Sequence, residues 1–86
     1  MNKILYNLPE WVVKEVRALD NFKLWLRFES GEIKIFDFKP YLKYKIYEKL
    51  NIPEFFKLVR VEGDSIAWPG DIDIAPERLY SDGEKI

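Results

Sequence analysis

Asp71, Asp73 and Glu77 are the residues of this sequence best placed to do metal chemistry, since three carboxylates lie within seven positions. Hard divalent cations are held by several such oxygens. The spacing matches no calcium-binding loop, so the preferred reading is structural: Asp71 or Asp73 accepts backbone N–H bonds in a turn and caps the segment before Pro76. No metal and no cofactor is expected. A second constellation is basic and aromatic. Lys39, Lys43, Lys45, Lys49 and Lys57 are interleaved with Tyr41, Tyr44 and Tyr47, a pattern in which rings stack on bases while ammonium groups meet phosphates. The plainer reading is a solvated basic face with tyrosine rings over the core edge. A third is docking on an acidic protein surface, including the C-terminal region of another copy.

The residue types that are missing exclude more than those present suggest. There is no Cys and no His, so disulfides, thiolate nucleophiles, the usual zinc sets and imidazole acid–base chemistry are all absent. The expectation is a protein that is not an enzyme. Formal net charge is −1, but it is unevenly spread: residues 1–32 balance, residues 33–60 carry +4 and residues 61–86 carry −5. A nucleic-acid binder usually has a basic excess over the whole domain, and here the excess is local. The N-terminal run Met1 to Glu10 is too short for a signal-peptide core or a membrane span, which points to the cytoplasm and to no membrane partner.

These groups must be positioned by a small fold. At 86 residues, with 48% hydrophobic and 34% charged residues, the composition is that of one ordinary globular domain. Its ordered core is expected over about residues 10–80, with a frayed tail at 81–86. Aromatic residues reach 16%, so large rings should do much of the packing. The organising stretch is Phe22 to Phe38, whose period-two pattern puts Phe22, Leu24, Leu26 and Phe28 on one face and Lys23, Trp25, Arg27 and Glu29 on the other. A two-residue loop at Ser30-Gly31 sets Phe28 opposite Ile33, Leu26 opposite Ile35 and Leu24 opposite Asp37. A three-residue loop with Gly31 as a bulge is the second choice, setting Leu24 opposite Phe36 and Leu26 opposite Lys34.

Val-rich Trp11 to Leu19 reads as a first strand, with a helix from Pro9 as the alternative. The three strands then form a meander joined by Asp20-Asn21. Tyr41 to Leu50 has Leu42, Ile46 and Leu50 at helical spacing after Pro40, which predicts one amphipathic helix ended by Asn51 and Pro53. Pro53 to Phe56 reads as a helical turn dropping Phe onto the core. Lys57 to Glu62 and Ser65 to Trp68 make a later hairpin around Gly63-Asp64, and Pro76 can open one further helical turn. The predicted fold class is α+β: an antiparallel three-strand meander plus a later hairpin, with one short helix packed on the sheet.

In the first-choice register Trp25, Phe36 and Phe38 share the face opposite Leu24 and Leu26, with Trp25 and Phe36 as cross-strand partners. A sheet apolar on both faces needs two covers, and one short helix supplies only one. The second cover is either the segment around Trp68 and Tyr80 or a protein partner or second copy, which makes Trp25, Phe36 and Phe38 the candidate interface.

The segment Trp68-Pro69-Gly70-Asp71-Ile72-Asp73-Ile74-Ala75-Pro76-Glu77-Arg78-Leu79-Tyr80 resembles the closing signature of the small bacterial family called domain of unknown function 2442. The resemblance rests on a Trp-Pro pair followed by Asp, then Pro, then Leu-Tyr, and extends loosely over residues 10–80. It implies an α+β fold, with Trp68, Pro69, Asp71, Asp73, Pro76, Leu79 and Tyr80 in structural roles. Members often stand alone and sometimes precede a helix-turn-helix domain, and their genes commonly neighbour another small family, number 4160, in what is proposed to be a toxin–antitoxin pair. No helix-turn-helix segment lies in this sequence, so direct DNA recognition does not carry over. The expected function is a protein-interaction module, the antitoxin-like or regulatory member of such a pair, with a nucleic-acid-associated regulator using Lys39 to Lys49 as the alternative.

Overall fold

The computed structural model describes residues 8–86. Three strands, β1 (Val13–Leu19), β2 (Lys23–Phe28) and β3 (Ile33–Asp37), run as an antiparallel meander, and the strand reading of the Val-rich segment holds. The β1–β2 return is tight because Asn21 and Phe22 both take positive φ, 63° and 58°. Past the meander the chain makes a short α-helix, α1 (Pro53–Phe56), and a second antiparallel sheet of β4 (Arg60–Glu62), β5 (Ser65–Trp68) and β6 (Ile72–Ile74). Helix α2 (Pro76–Asp82) follows, and β7 (Glu84–Lys85) returns to pair with β3 as the fourth strand of the first sheet. The class is α+β.

The hairpin takes the three-residue loop, which corrects the first-choice register. Phe28 N–H donates to Glu32 O at 3.0 Å and Gly31 N–H to Phe28 O at 2.9 Å, with Gly31 at φ 91°. Only glycine takes that conformation without a Cβ penalty, and the resulting bulge shifts the pairing by one residue. Leu24 therefore faces Phe36, Trp25 faces Ile35 and Leu26 faces Lys34. A one-residue shift exchanges faces. Phe36 and Phe38 go into the core, 1% and 0% exposed, beside Leu24, Leu26 and Phe28. Trp25 remains on the opposite face, now with Ile33 and Ile35.

The expected amphipathic helix over Tyr41 to Leu50 does not form. In its place are two 3-10 segments, Lys39–Tyr41 and Lys45–Asn51. At three residues per turn, side chains three apart align. Tyr47 and Leu50 are buried in consequence, while Ile46, counted as a core position at helical spacing, is 69% exposed. Asn51 closes the segment as anticipated, its amide donating to Leu42 O at 3.2 Å and Glu48 O at 3.1 Å. Phe56 of α1 is buried and Phe55 packs against the core edge.

The two sheets meet through rings. Trp68 on β5 is fully buried against Phe38, at 5.4 Å between centroids, and Phe56, at 5.9 Å. Its indole N–H donates to Phe56 O at 2.8 Å, which satisfies the one polar atom that burial would otherwise strand. A backbone bond from Val13 N–H to Asp64 O at 2.9 Å joins the sheets at a second point. The tail expected to fray is instead bound: β7 pairs Lys85 with Lys34 and Glu84 with Ile35. Gly83 makes this approach possible, since a Cβ there would sit 2.7 Å from Leu79 O and 3.1 Å from Lys34 Cβ.

The register makes unequal use of neighbouring residues. Phe36→Ala should cost about 3–5 kcal/mol and Ile35→Ala less than about 1.5 kcal/mol, read from urea midpoints, whereas the two-residue loop would reverse that order.

Candidate functional site

The outer face of the first sheet is a checkerboard of charge and apolar surface. Across one row stand Arg17, Trp25, Ile35 and Glu84; a second row holds Glu15, Arg27 and Ile33; a third holds Leu19, Lys23 and Asp37. The buried rings lie on the other side of this sheet, and Trp25, Ile33 and Ile35 are half-buried by their neighbours on the strands. The Arg17 guanidinium lies 4.8 Å from the Trp25 ring centroid. Glu15 holds it there, accepting from Arg17 at 2.8 Å and from Arg27 at 3.3 Å, and these hydrogen bonds keep the Glu15 carboxyl below the usual carboxylate range. The result is an apolar centre with a charge-balanced rim.

Of the three residues expected on this face, only Trp25 is there. Phe36 and Phe38 belong to the core, and Trp68 and Tyr80, considered as a cover for the face, pack on the inner side too. Ile33 and Ile35 were the residues missed. The signal that finds them is the loop length, because a bulge at Gly31 moves both isoleucines outward together.

The lysine–tyrosine group is brought together only in part. Lys39 is tied to Asp37 at 3.1 Å and to Asn21 O at 3.1 Å. Tyr41 donates to Asp82 at 3.1 Å and accepts from Arg78 at 3.4 Å. Tyr47 is buried and donates to Asp73 O at 2.9 Å, and burial together with the Asp73 charge pushes its phenol above its usual range. That leaves Tyr44, 51% exposed, as the one ring of the three on open surface, with Lys43 Nζ 5.5 Å from its centroid. Among the described residues Lys43, Lys45 and Lys49 have no carboxylate partner.

Asp71, Asp73 and Glu77 do not converge: among the described residues no three carboxylates gather as a cation cage. Nor does either Asp cap α2, whose N-terminal neighbour Ala75 makes no side-chain cap. Asp71 instead sits in the β5–β6 turn at φ 62°, next to Gly70 at φ 90°. The rest of the segment does structural work. Pro76 opens α2, Leu79 is fully buried, and Tyr80 packs edge-on to Phe28 at 5.0 Å while its hydroxyl donates to Glu32. Trp68, Leu79 and Tyr80 of the closing segment thus pack on one core, while Pro69, Asp71 and Asp73 are exposed.

The model of a family described as Protein of unknown function (DUF2442) matches residues 13–84. The chain belongs to the DUF2442 family. No curated protein and no solved structure matches it. The matched span covers every strand from β1 to the start of β7, so the DUF2442 match takes in both sheets and the open face between Trp25 and Ile35. Among the described residues no helix is long and apolar enough to cross a membrane.

Glu32 anchors the returning strand, with Tyr80 hydroxyl on one oxygen and Lys85 Nζ at 2.9 Å on the other. The Tyr80 hydrogen bond first, then Lys85, lowers its carboxyl from 4.5 to about 2. A depressed folded-state value means the stabilisation is full above the unfolded value and is lost as pH falls through the folded one. Urea melts of the wild type should therefore lose stability between about pH 4.5 and pH 2 more steeply than melts of Glu32→Gln; parallel curves would remove the link from the account.

Proposed function

We propose that this DUF2442 chain is a small, non-enzymatic, cytoplasmic interaction module that docks one protein partner on the outer face of its first sheet. The observation that carries the reading is the half-buried apolar centre of Trp25, Ile33 and Ile35 on a sheet whose other side already holds the whole core. An aromatic anchor ringed by polar groups is the anatomy of a docking patch.

The rim says what kind of partner fits. Arg17, Lys23 and Arg27 are offset by Glu15, Asp37 and Glu84, so the face has no net pull on a phosphate backbone. A folded protein with a flat apolar patch and charges of both signs is the better occupant. The four-stranded sheet presents roughly 20 Å by 20 Å, from strand spacing and rise, which suits a small, dissociable interface. Membership in a two-gene pair is the biological setting we propose: the chain acts as the antitoxin-like or regulatory member, and its partner is the neighbouring gene's product.

A nucleic-acid role for Lys39, Lys43, Lys45 and Lys49 has less support. Two of the three interleaved tyrosines are committed to protein contacts, leaving Tyr44 as a single stacking platform.

Tagged chain expressed in its native host should retain the neighbouring gene product, and Trp25→Glu should reduce that retention at least about tenfold, the size of loss that removing an interface anchor causes. Val61→Glu, a matched change on the exposed β4 edge of the other sheet, should leave it intact. Equal retention by both variants, with both folded by circular dichroism, would contradict the reading.

A further inference from the structure

We infer that this protein also pairs with a second copy of itself, through two adjoining grooves of opposite charge beside the β6–α2 junction. The first groove is apolar: Tyr41, Tyr44, Ile46 and Tyr47 line a volume of about 550 Å3, with Lys45 and Arg78 at its margin. Tyr44 and Ile46 are 51% and 69% exposed, the largest uncovered apolar side chains on the 3-10 segment and its lead-in. Lys43 stands beside Tyr44, and neither Lys43 nor Lys45 has a carboxylate partner among the described residues.

The second groove, about 480 Å3, has Trp11 in its wall together with Glu62, Asp64, Asp73 and Glu77, and among the described residues no cation lines it. Among the described residues only Glu62 of these acids has an ion pair, to Arg60 at 2.6 Å. Ile74 and Ala75 border both grooves, so the cationic and the acidic surface lie side by side across one stretch of backbone. No ion pair joins them within the chain, among the described residues.

That adjacency selects the occupant. When complementary patches flank a line on a surface, a two-fold axis through that line lays each patch on its opposite in the second copy, and the contact closes on itself. Lys43 and Lys45 of each copy then face Asp73 and Glu77 of the other, while Tyr44 and Ile46 enter the groove walled by Trp11. A nucleic acid would meet the acidic groove immediately beyond Ile74, and an unrelated acidic protein would satisfy only one groove of the two. Trp25 lines neither groove, although Lys43 and Tyr44 share a cavity with Lys23, Ile35, Asp37 and Glu84 at the edge of its face, so a change at Trp25 itself separates this pairing from the partner docking.

Sedimentation of the purified chain should show a monomer–dimer equilibrium at low salt that moves toward monomer as salt screens the pairs. Lys43→Glu with Lys45→Glu should be monomeric, and so should Asp73→Lys with Glu77→Lys. Mixed one to one, these two double variants should restore the dimer, since each reversed pair then meets the opposite charge on the other variant, with Glu62, Asp64 and Arg78 unchanged in both. All four positions are exposed, and recovery on mixing also reports that both variants are folded. Trp25→Glu should leave the dimer unchanged. A wild type that stays monomeric at millimolar concentration and low salt overturns the proposal. Variants that dimerise alone, a mixture that does not associate, or species that grow beyond dimer with concentration also overturn it. Loss of oligonucleotide binding in Lys43→Glu with Lys45→Glu, from a wild type that is monomeric, would assign these lysines to nucleic acid instead.

Discussion

One backbone angle decides which side of this protein is wet. With Gly31 in the left-handed region the hairpin closes over three residues, and the pairing of β2 with β3 moves by one position. Because side chains alternate strictly along a strand, that single step sends Phe36 and Phe38 inward and Ile33 and Ile35 outward. The core and the bare outer face follow from the same choice. Had the loop been one residue shorter, Phe38 could not meet Trp68, Phe56 and Tyr47, and the ring cluster that joins the two sheets would have no centre.

Around that centre the small size of the chain is managed by interlocking. Each sheet alone is too narrow to bury a core, and short strands such as β4 and β6 are stable only with cover. Trp68 supplies it from one side and Phe38 from the other, with the indole N–H satisfied by Phe56 O. The C-terminal segment then locks the hairpin from outside the meander: Tyr80 against Phe28 and Glu32, Lys34 over the Tyr80 ring at 3.8 Å, and β7 along β3. Of the residues that the resemblance to the family marked out, Trp68, Leu79 and Tyr80 pack on the core and Pro76 opens α2, while the Asp73 side chain is exposed and nothing in the fold explains it. Function has to be sought on the surfaces this framework leaves open.

Much of the framework was legible. Alternation in Phe22 to Phe28, the Val-rich β1, the turn glycines at 31 and 63 and the ring-bearing Pro53 to Phe56 each state their structure locally. What failed did so where two local readings were close in energy and a distant contact decided. Two- and three-residue loops at Ser30-Gly31 are both sound turn chemistry, and burial of Phe36 and Phe38 against residues 30 positions away selects between them. Leu42, Ile46 and Leu50 have helical spacing, but Tyr47 and Leu50 three apart suit the tighter turn that brings Tyr47 onto Asp73 O. The last six residues look frayed until Gly83 is seen to admit them beside Lys34. The candidate site was half legible for the same reason: Trp25 was found because either register leaves it outside, while its companions changed with the loop.

The open surfaces divide by charge. The Trp25 face is neutral overall, suited to a protein partner, while the β6–α2 junction is polarised and grooved, suited to its own copy. Both readings presuppose the hairpin register. The most direct measurement is the pattern of backbone nuclear Overhauser contacts across residues 22–38 in solution. Cross-strand contacts joining Leu24 to Phe36 and Leu26 to Lys34 are the expected result; contacts joining Leu24 to Asp37 and Leu26 to Ile35 would contradict the account at its base.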